Sequence, residues 1–88
     1  MEFSTDILKS YHDRQVVLNY YDDRELVERK GFTFSRVKLT EKEILFCIPN
    51  GIDYQIPTSS HVSFQRNSQF PNYYELFFSN SRIEIYFP

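Results

Sequence analysis

The 88-residue chain has no alanine and no tryptophan, one cysteine and two glycines. The missing alanine argues against a helical bundle, which draws on Ala, Leu, Glu and Lys. One cysteine cannot close an intrachain disulfide, so a disulfide-stapled secreted scaffold is excluded. Two glycines are too few for a three-glycine dinucleotide fingerprint. Neither a Gly-x-x-x-x-Gly-Lys phosphate loop nor a Gly-x-Ser-x-Gly nucleophile elbow occurs. No apolar run approaches the ~20 residues of a membrane-spanning helix. The start, Met1-Glu2-Phe3-Ser4-Thr5-Asp6, is polar and acidic, unlike a secretory leader. A reducing, cytoplasmic location without membrane attachment is therefore expected. Surplus positive charge is also lacking. The net charge is -2 and the pI ≈ 5.6, whereas nucleic-acid-binding domains usually exceed about 9.

What the chain does contain is strand chemistry. Val, Ile, Phe, Tyr and Thr account for 32 of 88 residues, and 16 are Phe or Tyr. β-Branched and aromatic side chains suit a pleated, half-buried surface. The length allows one domain, 1–88. A core this small does not hold every aromatic, and a contiguous surplus marks an interaction surface.

Ser4-Thr5-Asp6 offers an N-cap, and Ile7, Leu8 and Tyr11 follow at helical spacing, which predicts a short helix over 5–12. Strands are expected over 14–21, 25–39, 44–48, 52–56, 61–66, 73–78 and 82–87, with the long second one bent at Gly31. The expected fold is mainly β. A short N-terminal helix precedes six or seven antiparallel strands, in a meander forming a small barrel or a two-layer sandwich.

Two hairpins carry their own register. Pro49-Asn50-Gly51 reads as a three-residue loop with the glycine left-handed, pairing Ile48 with Ile52, Phe46 with Tyr54 and Ile44 with Ile56. An Asn80-Ser81 turn pairs Phe78 with Ile83, Leu76 with Ile85 and Tyr74 with Phe87. The other face then holds Tyr73, Phe77 and Tyr86 beside Glu75 and Glu84. The doublets Tyr20-Tyr21, Tyr73-Tyr74 and Phe77-Phe78 each send one ring to either side of a sheet.

No catalytic or metal-ligating spacing appears, and no cofactor is expected. Cys47 stands among apolar residues and reads as a buried hydrophobe. His61 reads as a half-exposed loop residue and His12 as a residue near a helix C-terminus. Asp22-Asp23 reads as a solvated turn.

The expected function is a non-enzymatic protein-interaction module that associates with itself as a homodimer or with another protein. The candidate contact residues are Tyr73, Phe77, Arg82, Glu84 and Tyr86 on the terminal hairpin, whose last strand is expected at an open sheet edge. The alternative is a single-strand nucleic-acid binder. It rests on Phe32, Phe34, Arg36 and Lys38, which share one parity on the second strand. Neighbouring Glu25, Glu28, Glu41 and Glu43 cancel that strand's positive charge, which disfavours nucleic acid.

Overall fold

A computed structural model describes residues 5–58 and 63–88. A 3-10 helix, Thr5–Ser10, opens the chain. It is shorter and tighter than the helix expected over 5–12. Leu8 is wholly buried while Ile7 stays at the surface. Eight strands follow: β1 (Arg14–Asp22), β2 (Glu25–Phe34), β3 (Arg36–Leu39), β4 (Glu43–Cys47), β5 (Tyr54–Pro57), β6 (Ser63–Arg66), β7 (Tyr73–Phe77) and β8 (Ser81–Tyr86). Residues 61 and 62 of the expected fifth strand lie outside the described residues, as does His61.

The strands form two antiparallel sheets. Five are ordered β2-β1-β8-β7-β6 and three β3-β4-β5. The sheets do not close into a barrel among the described residues, and the order is not a simple meander. β8 lies between β1 and β7, so the last strand is internal. The edges of this sheet are instead β2 and β6, and among the described residues β2 pairs with β1 alone.

The long second strand is divided at Ser35, not bent at Gly31. The Ser35 N–H donates to Cys47 O at 2.7 Å, and its carbonyl accepts from Asp13 N–H at 2.8 Å. One residue thereby hands the chain from the first sheet to the second. Gly31 sits in the β1–β2 ladder opposite Val17 without a positive φ. The irregularity lies further back: Tyr20 pairs with Glu28 but Tyr21 with Leu26, which leaves Val27 as an extra residue.

Both turn readings need correction. In Ile48-Pro49-Asn50-Gly51 the left-handed residue is Asn50 (φ 58°), and Gly51 N–H closes on Ile48 O at 3.2 Å. Proline second and a positive φ third is the type II pattern. The predicted pairs Phe46–Tyr54 and Ile44–Ile56 are present, but Ile52 is 92% exposed and outside the ladder. In the last hairpin Phe78 N–H bonds Ser81 O at 2.8 Å, which sets Leu76 opposite Ile83 and Tyr74 opposite Ile85. That is two residues from the predicted register. A slip of two keeps every side chain on its face, so Leu76, Ile83, Ile85 and Phe87 are core as expected.

The β1–β2 turn is the tightest. Asp23 (φ 49°) and Arg24 (φ 72°) are both left-handed, the pattern of a type I′ hairpin. One apolar cluster joins the sheets. It runs from Leu8 through Val16, Leu18 and Phe34 to Val37, Ile44, Phe46 and Ile56, and through Tyr74, Leu76 and Ile85 to Phe87. Aromatic rings fill much of it: Tyr11 stacks on Phe87 with centroids 3.9 Å apart, and Phe34 meets Phe46 edge-on at 5.3 Å.

Candidate interaction surface on the five-stranded sheet

Side chains alternate across a strand. Val16, Leu18, Ile83, Ile85, Tyr74 and Leu76 face the core, so the residues between them form the other face. The ladders arrange that face in three rows. The first runs Gly31, Val17, Tyr86, Tyr73. The second runs Arg29, Asn19, Glu84, Glu75, Gln65. The third runs Leu26, Tyr21, Arg82, Phe77, Ser63. A polar row is thus framed by two rows that carry rings.

The frame folds inward over its centre. Glu84 is only 8% exposed although it points away from the core. Its Oε1 accepts from the Tyr73 hydroxyl, and its Oε2 accepts from Arg82 Nε and Nη2 at 3.4 and 3.3 Å. The Arg82 guanidinium lies 4.0 Å from the Tyr21 ring centroid, close enough for cation–π attraction. Burial, and then the hydrogen bond to the Glu84 carboxylate, push the Tyr73 phenol above its ordinary range. Asn19 is also 8% exposed, and its Oδ1 is buried with no hydrogen-bond partner among the described residues. Glu75, directly opposite Glu84, accepts from Gln65 Nε2 at 3.4 Å.

An aromatic ridge runs along the first row. Tyr86 is 36% exposed and its ring centroid is 5.6 Å from that of Tyr73. Tyr73 in turn is 6.0 Å from Phe70, a ring 57% exposed on the β6–β7 loop. That loop is fixed locally: Asn67 Oδ1 accepts from Gln69 N–H at 2.8 Å and from Phe70 N–H at 3.0 Å, an Asx turn. At the far end, Tyr21, Arg24, Phe77, Ser81 and Arg82 help line a shallow depression of about 240 Å³.

The structure therefore brings Tyr73, Arg82, Glu84 and Tyr86 together, with Phe77 half-buried in the third row. It adds Phe70, Tyr21 and Asn19, which the sequence reading missed. The Asn67 turn before Phe70 was a usable signal. Tyr21 and Asn19 needed the pairing of the first strand with the last, which no local pattern reveals.

Phe32, Phe34, Arg36 and Lys38 are not brought to one face. Phe34 has no exposure, and Phe32 is half-buried against Phe46 and Tyr54. Arg36 and Lys38 are exposed because Val37 and Leu39 turn inward on β3. The break at Ser35 ends the shared parity. Cys47 is half-buried, not buried, because Ile44 and Phe46 take the inward positions of β4. His12 is exposed beside Asp13, with Nδ1 3.4 Å from Oδ2. Among the described residues no three His, Cys, Asp or Glu side chains are grouped to hold a metal ion, and no helix is long and apolar enough to cross a membrane. No family model, curated protein or solved structure matches the chain.

Proposed function

We propose that this chain is a non-enzymatic protein-interaction module, a cytoplasmic two-layer sandwich that meets its partner with the outer face of the five-stranded sheet. The observation that carries this reading is the Phe70–Tyr73–Tyr86 ridge beside a pre-assembled Tyr73–Glu84–Arg82 cluster. Aromatic and arginine side chains supply most of the energy at protein interfaces. Here they are held in place before any partner arrives, which lowers the ordering cost of binding. A nucleic-acid role has less support, because the aromatics of the basic strand lie in or against the core and the net charge is negative.

Site-specific photo-crosslinking tests the reading. A photoreactive phenylalanine at position 86 is expected to give discrete protein adducts in cells. The adducts are lost when Phe70→Ser is added. The same group at position 55, on the second sheet, serves as the control. No adducts at position 86 beyond those of the control, or adducts to nucleic acid alone, would overturn it.

A further inference from the structure

We propose that a second copy of this chain pairs antiparallel along the free edge of β2, centred on Arg29, to make one continuous ten-stranded sheet. The inference extends the interaction-module reading to self-association and moves it from the terminal hairpin, whose last strand is internal. Three observations converge.

The first is the edge itself. β2 has ten residues against four in β6, the other edge, and among the described residues it pairs on one side only. Residues 25 to 31 are exposed without interruption, including Leu26 and Val27. A long exposed edge is a template for another strand.

The second is charge order. A two-fold axis perpendicular to the sheet keeps like faces together, so each residue meets one of its own parity. With Arg29 on the axis, Glu28 of each copy lies opposite Lys30 of the other. Within one chain Lys30 Nζ is already 3.7 Å from Glu28 Oε2. Pairing would therefore close an alternating cluster of two acids and two bases. Arg29 would meet its own mate on the outer face, the one repulsive contact of this register. Moving the axis by one residue sets Glu28 against Glu28, or Lys30 against Lys30, through a change of two in the pairing sum. Either move adds a like-charge pair of its own and loses both Glu28–Lys30 pairs, so the charges favour Arg29 on the axis over either neighbouring register.

The third is Gly31. Its φ is not positive, so no turn demands glycine there. An added Cβ would find nothing nearer than Gln15 Nε2 at 3.7 Å. A strand glycine without a backbone reason often marks the close approach of another chain. Because Val27 is the extra residue of the bulge, Leu26 shares Gly31's face. In the proposed register the residue facing Gly31 is Val27 of the second copy, with Leu26 beside it on the outer face.

Sedimentation equilibrium of the full chain at tens of micromolar decides the matter. The wild type is expected to be dimeric. Glu28→Lys and Lys30→Glu should each weaken the dimer by roughly tenfold or more, because each sets like charges opposite on both sides of the axis. An equimolar mixture of the two variants should recover the dimer as a heterodimer, in which both 28–30 pairs are again opposite in sign. Gly31→Val should weaken the dimer while leaving the melting temperature of the monomer unchanged or higher. A Tyr73→Ser, Tyr86→Ser double variant should remain dimeric. A monomeric wild type, or a dimer that both charge variants leave intact, would overturn the proposal. A dimer lost only in the Tyr73→Ser, Tyr86→Ser variant would overturn edge pairing and leave the outer face as the contact.

Discussion

The two faces of the five-stranded sheet are made from the same strands and both carry aromatic rings, yet they differ in how those rings are held. On the inner face, rings lock against other rings: Phe34 against Phe46 of the second sheet, and Tyr11, just past the 3-10 helix, on Phe87. Its few hydroxyls find each other, as Tyr11 does with Tyr74 at 2.7 Å while also donating to Asn72 Oδ1 at 2.9 Å. A phenol has one proton, so Tyr74 must donate to Tyr11. On the outer face, rings lean on charges: Tyr21 under Arg82, and Tyr73 on Glu84. The first arrangement is closed by the fold alone. The second leaves ring surface turned outward, beside an Asn19 Oδ1 that is buried and finds no hydrogen-bond partner among the described residues. The contrast separates residues that build the domain from residues available to a partner.

The sharpest way to break this comparison is to hollow out each face. Phe34→Ala is expected to cost about 3–5 kcal/mol and Leu76→Ala about 2–5 kcal/mol, as cavity substitutions in a packed core. Phe77→Ser and Tyr86→Ser, on the same sheet, should each cost under about 1 kcal/mol in the monomer. Urea denaturation measures all four, and equal losses on both faces would erase the distinction.

A middle-sized effect is expected at the outer centre. Arg82→Ala removes the guanidinium from a carboxylate that is nearly buried, and should cost about 1–3 kcal/mol. Arg82→Ala with Glu84→Gln should recover part of that loss, because the neutral amide needs no counter-charge.

Alkaline pH distinguishes the faces less strongly. Burial above all pushes Tyr11 up to about 12 from 10.0. Tyr20 and Tyr73 are also raised, first by burial and then by hydrogen bonds to Tyr54 and Glu84. Above pH ~10 the native state then holds protons that the unfolded chain releases. Stability is thus full below the unfolded phenol pKa and falls as pH rises through the folded value. Stability measured by denaturant from pH 8 to 12 should decline above ~10, and Tyr73→Phe should soften that decline. A flat profile would count against the buried phenols.

The smallest expected change lies outside both faces. Asp23 and Arg24 hold left-handed conformations that L residues disfavour. Replacing the pair with Asn-Gly should stabilise the chain by about 1 kcal/mol, read from the melting temperature.

How much of this was legible beforehand follows from the period of a strand. Alternation alone assigns faces, so Leu76 and Ile85 could be placed inward and Tyr73, Phe77 and Tyr86 outward from the sequence. The pairing Phe46–Tyr54 was placed correctly from a Pro49-Asn50-Gly51 loop, although the left-handed residue is Asn50 and not the expected glycine. The two-residue error in the last hairpin did no harm to faces, because alternation is blind to slips of two. The same blindness hid the true partners of Leu76 and Tyr74.

Composition and alternation thus determined that this chain is built of antiparallel strands with one apolar face per hairpin, since those properties are local to a few residues. Tertiary structure alone decided that β8 lies between β1 and β7, which strand remains an edge, and that the strand through Ser35 changes sheets. Those outcomes depend on contacts between residues far apart in sequence, such as Leu18 with Ile85 and Ser35 with Cys47. Strand order is fixed by which pairings bury the most apolar surface together, and no single segment carries that sum.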